Sequence, residues 1–174
     1  MIIFDIENYA DDSDRAKLEA LGIKVFQREN AYFELKVGEK ESEILDAARS
    51  NKRPIMLKGD TAADAMRLCL ENPDIIFIAG GFFSKSYEVI HTAMLLAECE
   101  NAYINLSGNF SWLNYYLHEL VRKVPAERLL FGTAYPYTNP AYKKATVLWE
   151  LRDLPSAVVE KIMYSNAVRL FGGV

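Results

Sequence analysis

Short apolar runs alternate with segments of helical spacing along the whole chain, and this alternation limits the possible folds more than any single motif does. It is the pattern of a parallel sheet whose crossovers are helices, an α/β architecture. Strands are expected at Ile2 to Ile6, Ile23 to Gln27, Pro54 to Leu57, Ile75 to Ile78, Ala102 to Leu106 and Leu129 to Gly132. Tyr32 to Val37 stays open between an irregular and a strand-like excursion. Ile75 to Ile78 is uninterrupted and apolar, as a strand covered on both faces must be.

Helices fill the intervals. Asp11 to Leu21 carries Asp and Ser capping candidates and closes on Gly22; Glu41 to Ser50 sets Ile44, Leu45, Ala47 and Ala48 at helical spacing; Thr61 to Leu70 follows the third strand. Ser84 or Ser86 can cap a long helix reaching about Glu98, and Trp112, Tyr115, Tyr116, Leu117, Leu120 and Val121 make one broad apolar helix face. Pro140, just after Asn139, and Pro155, at the start of the last helix, stand where a missing N–H costs nothing.

A complete (β/α)8 barrel usually takes about 250 residues and at least about 200. At roughly 30 residues per βα unit, the 174 residues hold about six units. No Ser-, Gly- or Pro-rich linker divides them, so residues 1–174 read as one domain. Six units leave two open sheet edges, and parallel edges are normally covered. A homo-oligomer that covers the gap is therefore expected.

A net charge of −4 with scattered Lys and Arg gives no electrostatic footprint for nucleic acid. No apolar run reaches the length of a membrane span, and the N-terminus lacks the features of a signal peptide. A cytoplasmic location is expected. Cys69 and Cys99 lie in apolar helical segments without C-x-x-C spacing and read as reduced core or near-surface thiols.

The most specific signature is Arg128-Leu129-Leu130-Phe131-Gly132-Thr133-Ala134-Tyr135-Pro136, followed some thirty residues later by Ser165-Asn166-Ala167-Val168-Arg169-Leu170-Phe171-Gly172. It resembles the C-terminal signature of metal-dependent amidohydrolases of the type named for aminocarboxymuconate-semialdehyde decarboxylase. There a strand ends in Gly-Ser/Thr-Asp-Tyr-Pro and the chain finishes on an Asn-Ala-x-Arg-Leu-Phe helix. Asn101 to Gly108, Asn72 to Gly81 and Arg53 to Gly59 are similar to further strands of that family, and Met1 to Asn8 reads either as a degraded first strand or as a middle one. The resemblance implies a TIM-barrel-like fold of the metallo-dependent hydrolase type, here shortened into an incomplete or distorted barrel.

The resemblance also shows what is missing. The turn's metal-binding Asp is replaced by Ala134, one metal-binding His by Lys58, a second by Ile78, and the opening restores no His. A zinc hydrolase site needs roughly three converging ligands and an open position for water. The chain has only His91 and His118, both inside expected helices. No metal ligand set and no cofactor are expected.

In this architecture function sits at the C-terminal ends of the strands. That rule gathers Glu7, Arg28, Lys58, Asp60, Ser84, Ser107, Asn109, Thr133 and Tyr135. Lys58, with Glu7 and Asp60 beside it, is the catalytic candidate, because a lysine whose pKa is lowered becomes a nucleophile toward carbonyl carbon. In the alternative reading its ammonium replaces a lost metal charge and pairs with Glu7 or Asp60; Asp60 also suits an N-cap ahead of Thr61. Arg28, Ser107, Asn109, Thr133 and Tyr135 are expected to line a pocket. Gly80-Gly81 reads as turn geometry rather than a phosphate loop. Asn166 and Arg169 read as structural.

Two functions follow. One is an amidohydrolase-like protein that has lost metal-dependent hydrolase or decarboxylase activity and keeps small-ligand binding. The other is a metal-independent or site-relocated hydrolase or lyase acting on a small carboxylate or carbonyl compound, with Lys58 at its centre.

Overall fold

The structure is a computed structural model. It describes residues 2–6, 8–25, 31–58, 62–80, 94, 96–107 and 116–172. Seven strands stand among them: β1 Ile3–Asp5, β2 Ile23–Val25, β3 Phe33–Leu35, β4 Ile55–Leu57, β5 Phe77–Ala79, β6 Ala102–Asn105 and β7 Leu129–Leu130. The segment left open in the sequence, Tyr32 to Val37, supplies β3. The described helices are α1 Asp12–Ala20, α2 Glu41–Asn51, α3 Ala62–Glu71, α4 Tyr116–Lys123, α5 Pro140–Glu150, α6 Ser156–Glu160 and α7 Asn166–Phe171. A π-helical turn, Lys161–Ser165, joins α6 to α7. Most of the expected helix from Ser84 to Glu98 lies outside the described residues.

Every strand pair is parallel, in two sheets ordered β1-β2 and β3-β4-β5-β6-β7. The two sheets meet where β1 runs beside the end of β7: the Ile6 N–H donates to the Phe131 carbonyl at 3.1 Å, and Asn8 bridges Tyr135 in parallel. The strands therefore follow one another around a barrel as β2-β1-β7-β6-β5-β4-β3. Among the described residues nothing pairs β2 with β3, and the barrel is not closed.

Side chains that alternate along these short strands sort into layers. Phe4, Ile6, Met56, Ile78 and Leu130 point inward and form one buried cluster with Tyr32 and Ala167. Their strand neighbours point outward toward the helices. Ile3, Leu129 and Phe131 meet Val147 of α5 and Leu151 at its C-cap, whereas Ile55, Leu57, Phe77 and Ala79 meet Leu68 of α3 and Ala48 of α2. Tyr164, Val168, Leu170 and Phe171 close the interior at the N-terminal ends of the strands, with Tyr164 5.0 Å from Phe4 and Phe171 6.3 Å from Tyr32 between ring centroids.

Local chemistry sets the helix starts. The Asp11 carboxylate accepts the Asp14 N–H at 3.0 Å and caps α1. Asn139 accepts the Tyr142 N–H at 3.1 Å with Pro140 in the first turn of α5. Both are side-chain oxygens satisfying N–H groups that have no partner within the helix. No described helix is long and apolar enough to cross a membrane.

Candidate functional site at the strand ends

None of the three described positions where the family signature places metal ligands fits a divalent ion. Ile78 is fully buried in the inner cluster with Phe4, Ile6, Met56 and Leu130 and offers no lone pair. Ala134 offers none either. Lys58 brings an ammonium, which repels a cation. Among the described residues no group of three or more His, Cys, Asp or Glu stands where it could hold a metal.

Lys58 follows β4 and shares the inward direction of Met56. Its Nζ donates to the Tyr9 hydroxyl at 3.0 Å and stands 3.7 Å from Glu34 Oε1. Tyr9 in turn meets Tyr137 edge to face at 5.9 Å. Tyr137 is 84% exposed, so this group forms the solvent-facing mouth of the barrel. The sequence reading offered Glu7 and Asp60 as the partners of Lys58; both lie outside the described residues, and Glu34 and Tyr9 were not foreseen. Glu34 was missed because its strand was not secured, although its register opposite Met56 follows once β3 pairs with β4.

Below the mouth, Asn105 fills the space between two glycines. Its amide donates to Ser107 Oγ at 2.7 Å, and its oxygen accepts the Ser107 N–H at 3.1 Å. A Cβ on Gly132 would stand 2.9 Å from the Ser107 Cβ and press harder still on the Asn105 oxygen, so glycine is required there by close approach. Ser107 is buried and committed to this brace.

A second polar cluster sits on the outer side of β1. Asp5 shares its direction with Ile3 and faces α5. Its carboxylate accepts the Thr133 N–H at 2.8 Å, the Asn8 amide at 2.7 Å and the Thr133 hydroxyl. The Thr133 oxygen then accepts the Tyr135 N–H at 3.1 Å, which sets the turn. Lys143 of α5 is buried beside this carboxylate. Burial pushes its pKa down to about 8, against a smaller upward pull from Asp5. Asp5, Asn8 and Lys143 were all missed from sequence. Lys143 carried a signal nonetheless: it precedes Val147 and Leu151 at steps of four, on the buried face of α5.

Thr133 is thus bound into the Asp5 cluster, and the Tyr135 hydroxyl donates outward to Asp14 Oδ2 at 2.7 Å. Lys58, Ser107, Thr133 and Tyr135 each bond to different partners. Glu7, Arg28, Asp60, Ser84, Asn109 and His91 lie outside the described residues, as does the side chain of His118. Burial raises the pKa of both thiols, that of Cys69 to about 12 with a further push from Cys99, and Cys99 Sγ lies 3.0 Å from Met66 Sδ.

The Asn166 amide donates to the carbonyls of Ala126 at 2.7 Å and Leu129 at 2.9 Å, and Arg169 donates to that of Glu127 at 2.8 Å. The terminal signature therefore clamps the last helix to the entry of β7.

A model of the amidohydrolase family matches residues 10–173. No curated protein matches the chain. Solved structures do. Amidohydrolase 2 from Bifidobacterium longum subsp. infantis is similar with a TM-score of 0.64 and 14% identity over 98% of each chain. An amidohydrolase from Burkholderia multivorans with bound zinc gives 0.68 and 13% over 96% of this chain and 72% of that one. 2,6-Dihydroxybenzoate decarboxylase complexed with 2,6-dihydroxybenzoate gives 0.54 and 18% over 76% of this chain and 55% of that one. At these identities the likeness is one of fold.

Proposed function

Because the chain belongs to the amidohydrolase family, we propose that it is a member whose metal-dependent hydrolase or decarboxylase chemistry has been lost and whose barrel mouth is kept as a binding site for a small ligand. The observation that carries this reading is Ile78. A methyl-bearing side chain fills a position that the family signature gives to a coordinating histidine, and it is sealed among Phe4, Ile6, Met56 and Leu130. Ala134 supports it. Its φ is +55°, a left-handed conformation that Asp and Asn adopt far more readily than Ala. The turn keeps a backbone shape suited to an acidic residue it no longer carries. The mouth supplies the binding chemistry: the Lys58 ammonium, the Tyr9 and Glu34 oxygens and the Tyr137 ring.

Metal analysis of protein expressed with added zinc and manganese, then dialysed, tests the proposal. Far less than one equivalent per chain, with no turnover of carboxylate or amide substrates, is expected. One retained equivalent of either metal would overturn it.

A second reading is a metal-independent lyase or hydrolase centred on Lys58, favoured by the hydroxyl and carboxylate beside its amine. Borohydride reduction in the presence of 2-keto acids should then leave an adduct on Lys58 that Lys58→Ala abolishes. Absence of that adduct removes this reading and leaves the first standing.

A further inference from the structure

We infer that Met66, Cys69 and Cys99 form a three-sulfur binding site for a soft monovalent cation of the copper(I) class. Both cysteines of the chain and one of its five methionines come together in one cluster. Met66 and Cys69 stand three residues apart on α3, so their side chains share one face of the helix. Cys99 lies in the turn ahead of β6, 33 residues beyond Met66, and its Sγ donates to Met66 Sδ at 3.0 Å. The Cys69 and Cys99 thiols also interact directly. Both cysteines are buried and Met66 is half-buried, which places the thioether on the path from solvent. The cluster sits beside the N-terminal ends of β5 and β6, at the opposite end of the strands from Lys58, and is separate from the barrel mouth.

The backbone around the sulfurs is pinned from two sides. The Asn101 amide donates to the carbonyls of Cys69 at 3.0 Å, Asn72 at 3.0 Å and Ile75 at 2.9 Å, tying the end of α3 to the turn that follows Cys99. Arg128 donates to the carbonyls of Cys99 and Ala102. The donor set selects the ion. Thiolate and thioether sulfur suit copper(I) rather than harder cations. Zinc takes four ligands, and among the described residues no third Cys, His, Asp or Glu joins these two cysteines. Metal–sulfur bonds of about 2.3 Å around a planar three-coordinate ion set the sulfurs about 4 Å apart. Met66 then swings outward by about 1 Å, within reach of an unbranched side chain with three rotatable bonds. Binding exchanges two thiol protons, which pass to solvent, for one copper(I) without change of oxidation state, and the bound unit carries one negative charge. Burial opposes that charge and so does Glu98, whereas the Arg128 guanidinium favours it at Cys99.

Anaerobic titration of the full chain with copper(I), in competition with a chromophoric copper(I) chelator, tests the assignment. One equivalent per chain is expected, with the ultraviolet absorption of thiolate-to-copper charge transfer and an X-ray absorption spectrum of three sulfur neighbours. Cys99→Ala should weaken binding by about a hundredfold and Met66→Leu by about tenfold. Met66→Leu conserves side-chain volume, so its melting curve without copper should stay close to that of the parent. Met163→Leu removes a thioether from a different part of the core and should leave the affinity unchanged. Failure to bind copper(I), or nitrogen and oxygen neighbours in place of sulfur, would overturn the assignment. So would a Cys99→Ala or Met66→Leu variant that binds copper(I) as tightly as the parent, which would place the ion on other residues.

Discussion

The Asp5 carboxylate accepts the main-chain N–H of Thr133 at 2.8 Å, joining the end of β1 to the turn after β7. This bond and its companion from the Thr133 hydroxyl cross the junction between the two sheets, and the Asn8 amide adds a local bond at the end of β1. Asp5→Ala leaves those donors buried without this acceptor and removes the carboxylate's pull on the buried Lys143, so a loss of about 3–5 kcal/mol is expected. Asp5→Asn keeps one acceptor oxygen and should lose less. Urea unfolding at neutral pH measures both; equal losses would show that one neutral acceptor oxygen does not serve the site and that it requires the charged carboxylate.

Lys143 makes stability depend on pH. Burial lowers its folded pKa to about 8 from an ordinary 10.5, so between those values the unfolded chain binds more protons than the folded one. Its contribution to stability therefore rises as pH rises through that window and is lost as pH falls through about 8, with a ceiling of about 3 kcal/mol. Lys143→Met removes the titration. The stability of that variant relative to the parent should be highest below about pH 8 and decline as pH climbs toward 10.5. A difference that stays flat across the window would contradict the burial of the ammonium.

Ala134 holds a left-handed backbone without the side chain that favours it. Glycine takes φ of +55° without the steric cost, which for an L-residue is roughly 1–2 kcal/mol, but it has more freedom to lose on folding. Ala134→Gly should therefore raise stability by up to about 1 kcal/mol, read from the urea midpoint. A loss of stability would mean that the Ala134 methyl group contributes packing that outweighs the strain.

Ile78→His would put a coordinating side chain back at one matched position. The imidazole enters a fully buried apolar cluster, and a cost of about 2–4 kcal/mol is expected. Because Ala134 and Lys58 supply no companion ligand, zinc should leave the melting temperature of the variant unchanged. A zinc-dependent rise would show that enough of the cage survives to bind metal.

The strand–helix alternation, the cap at Asp11, the helix start at Pro140 and the terminal signature were legible because each rests on neighbours within a few residues. The polar cluster was not, because Asp5 and Thr133 are 128 positions apart and meet only when β1 runs beside β7. Three-residue strands also carry too little alternation to say which side chains face inward. Asp5 and Ile6 could not be assigned faces until Ile3 was seen against α5 and Phe4 against Tyr164. Lys58 stood out on chemical type alone, but its partners Tyr9 and Glu34 come from two distant loops and strands. Lys143 was hidden by the habit of reading helical lysines as surface, although its register with Val147 and Leu151 placed it on the buried face.

The terminal clamp gives a sharper test of the family signature than the mouth does. Asn166 is buried, and its single amide nitrogen serves the carbonyls of Ala126 and Leu129, which flank the entry of β7. Asn166→Ala would leave both carbonyls without that donor, an expected cost of about 2–4 kcal/mol. Asn166→Asp should cost more, since a buried carboxylate would face two carbonyl oxygens with no proton to share above its titration range. The Asp variant should recover part of its stability as pH is lowered and the carboxyl gains a proton to donate, whereas the Ala variant should not. If the two variants were equally stable at neutral pH, the Asn166 amide would not be what ties the last helix to the barrel.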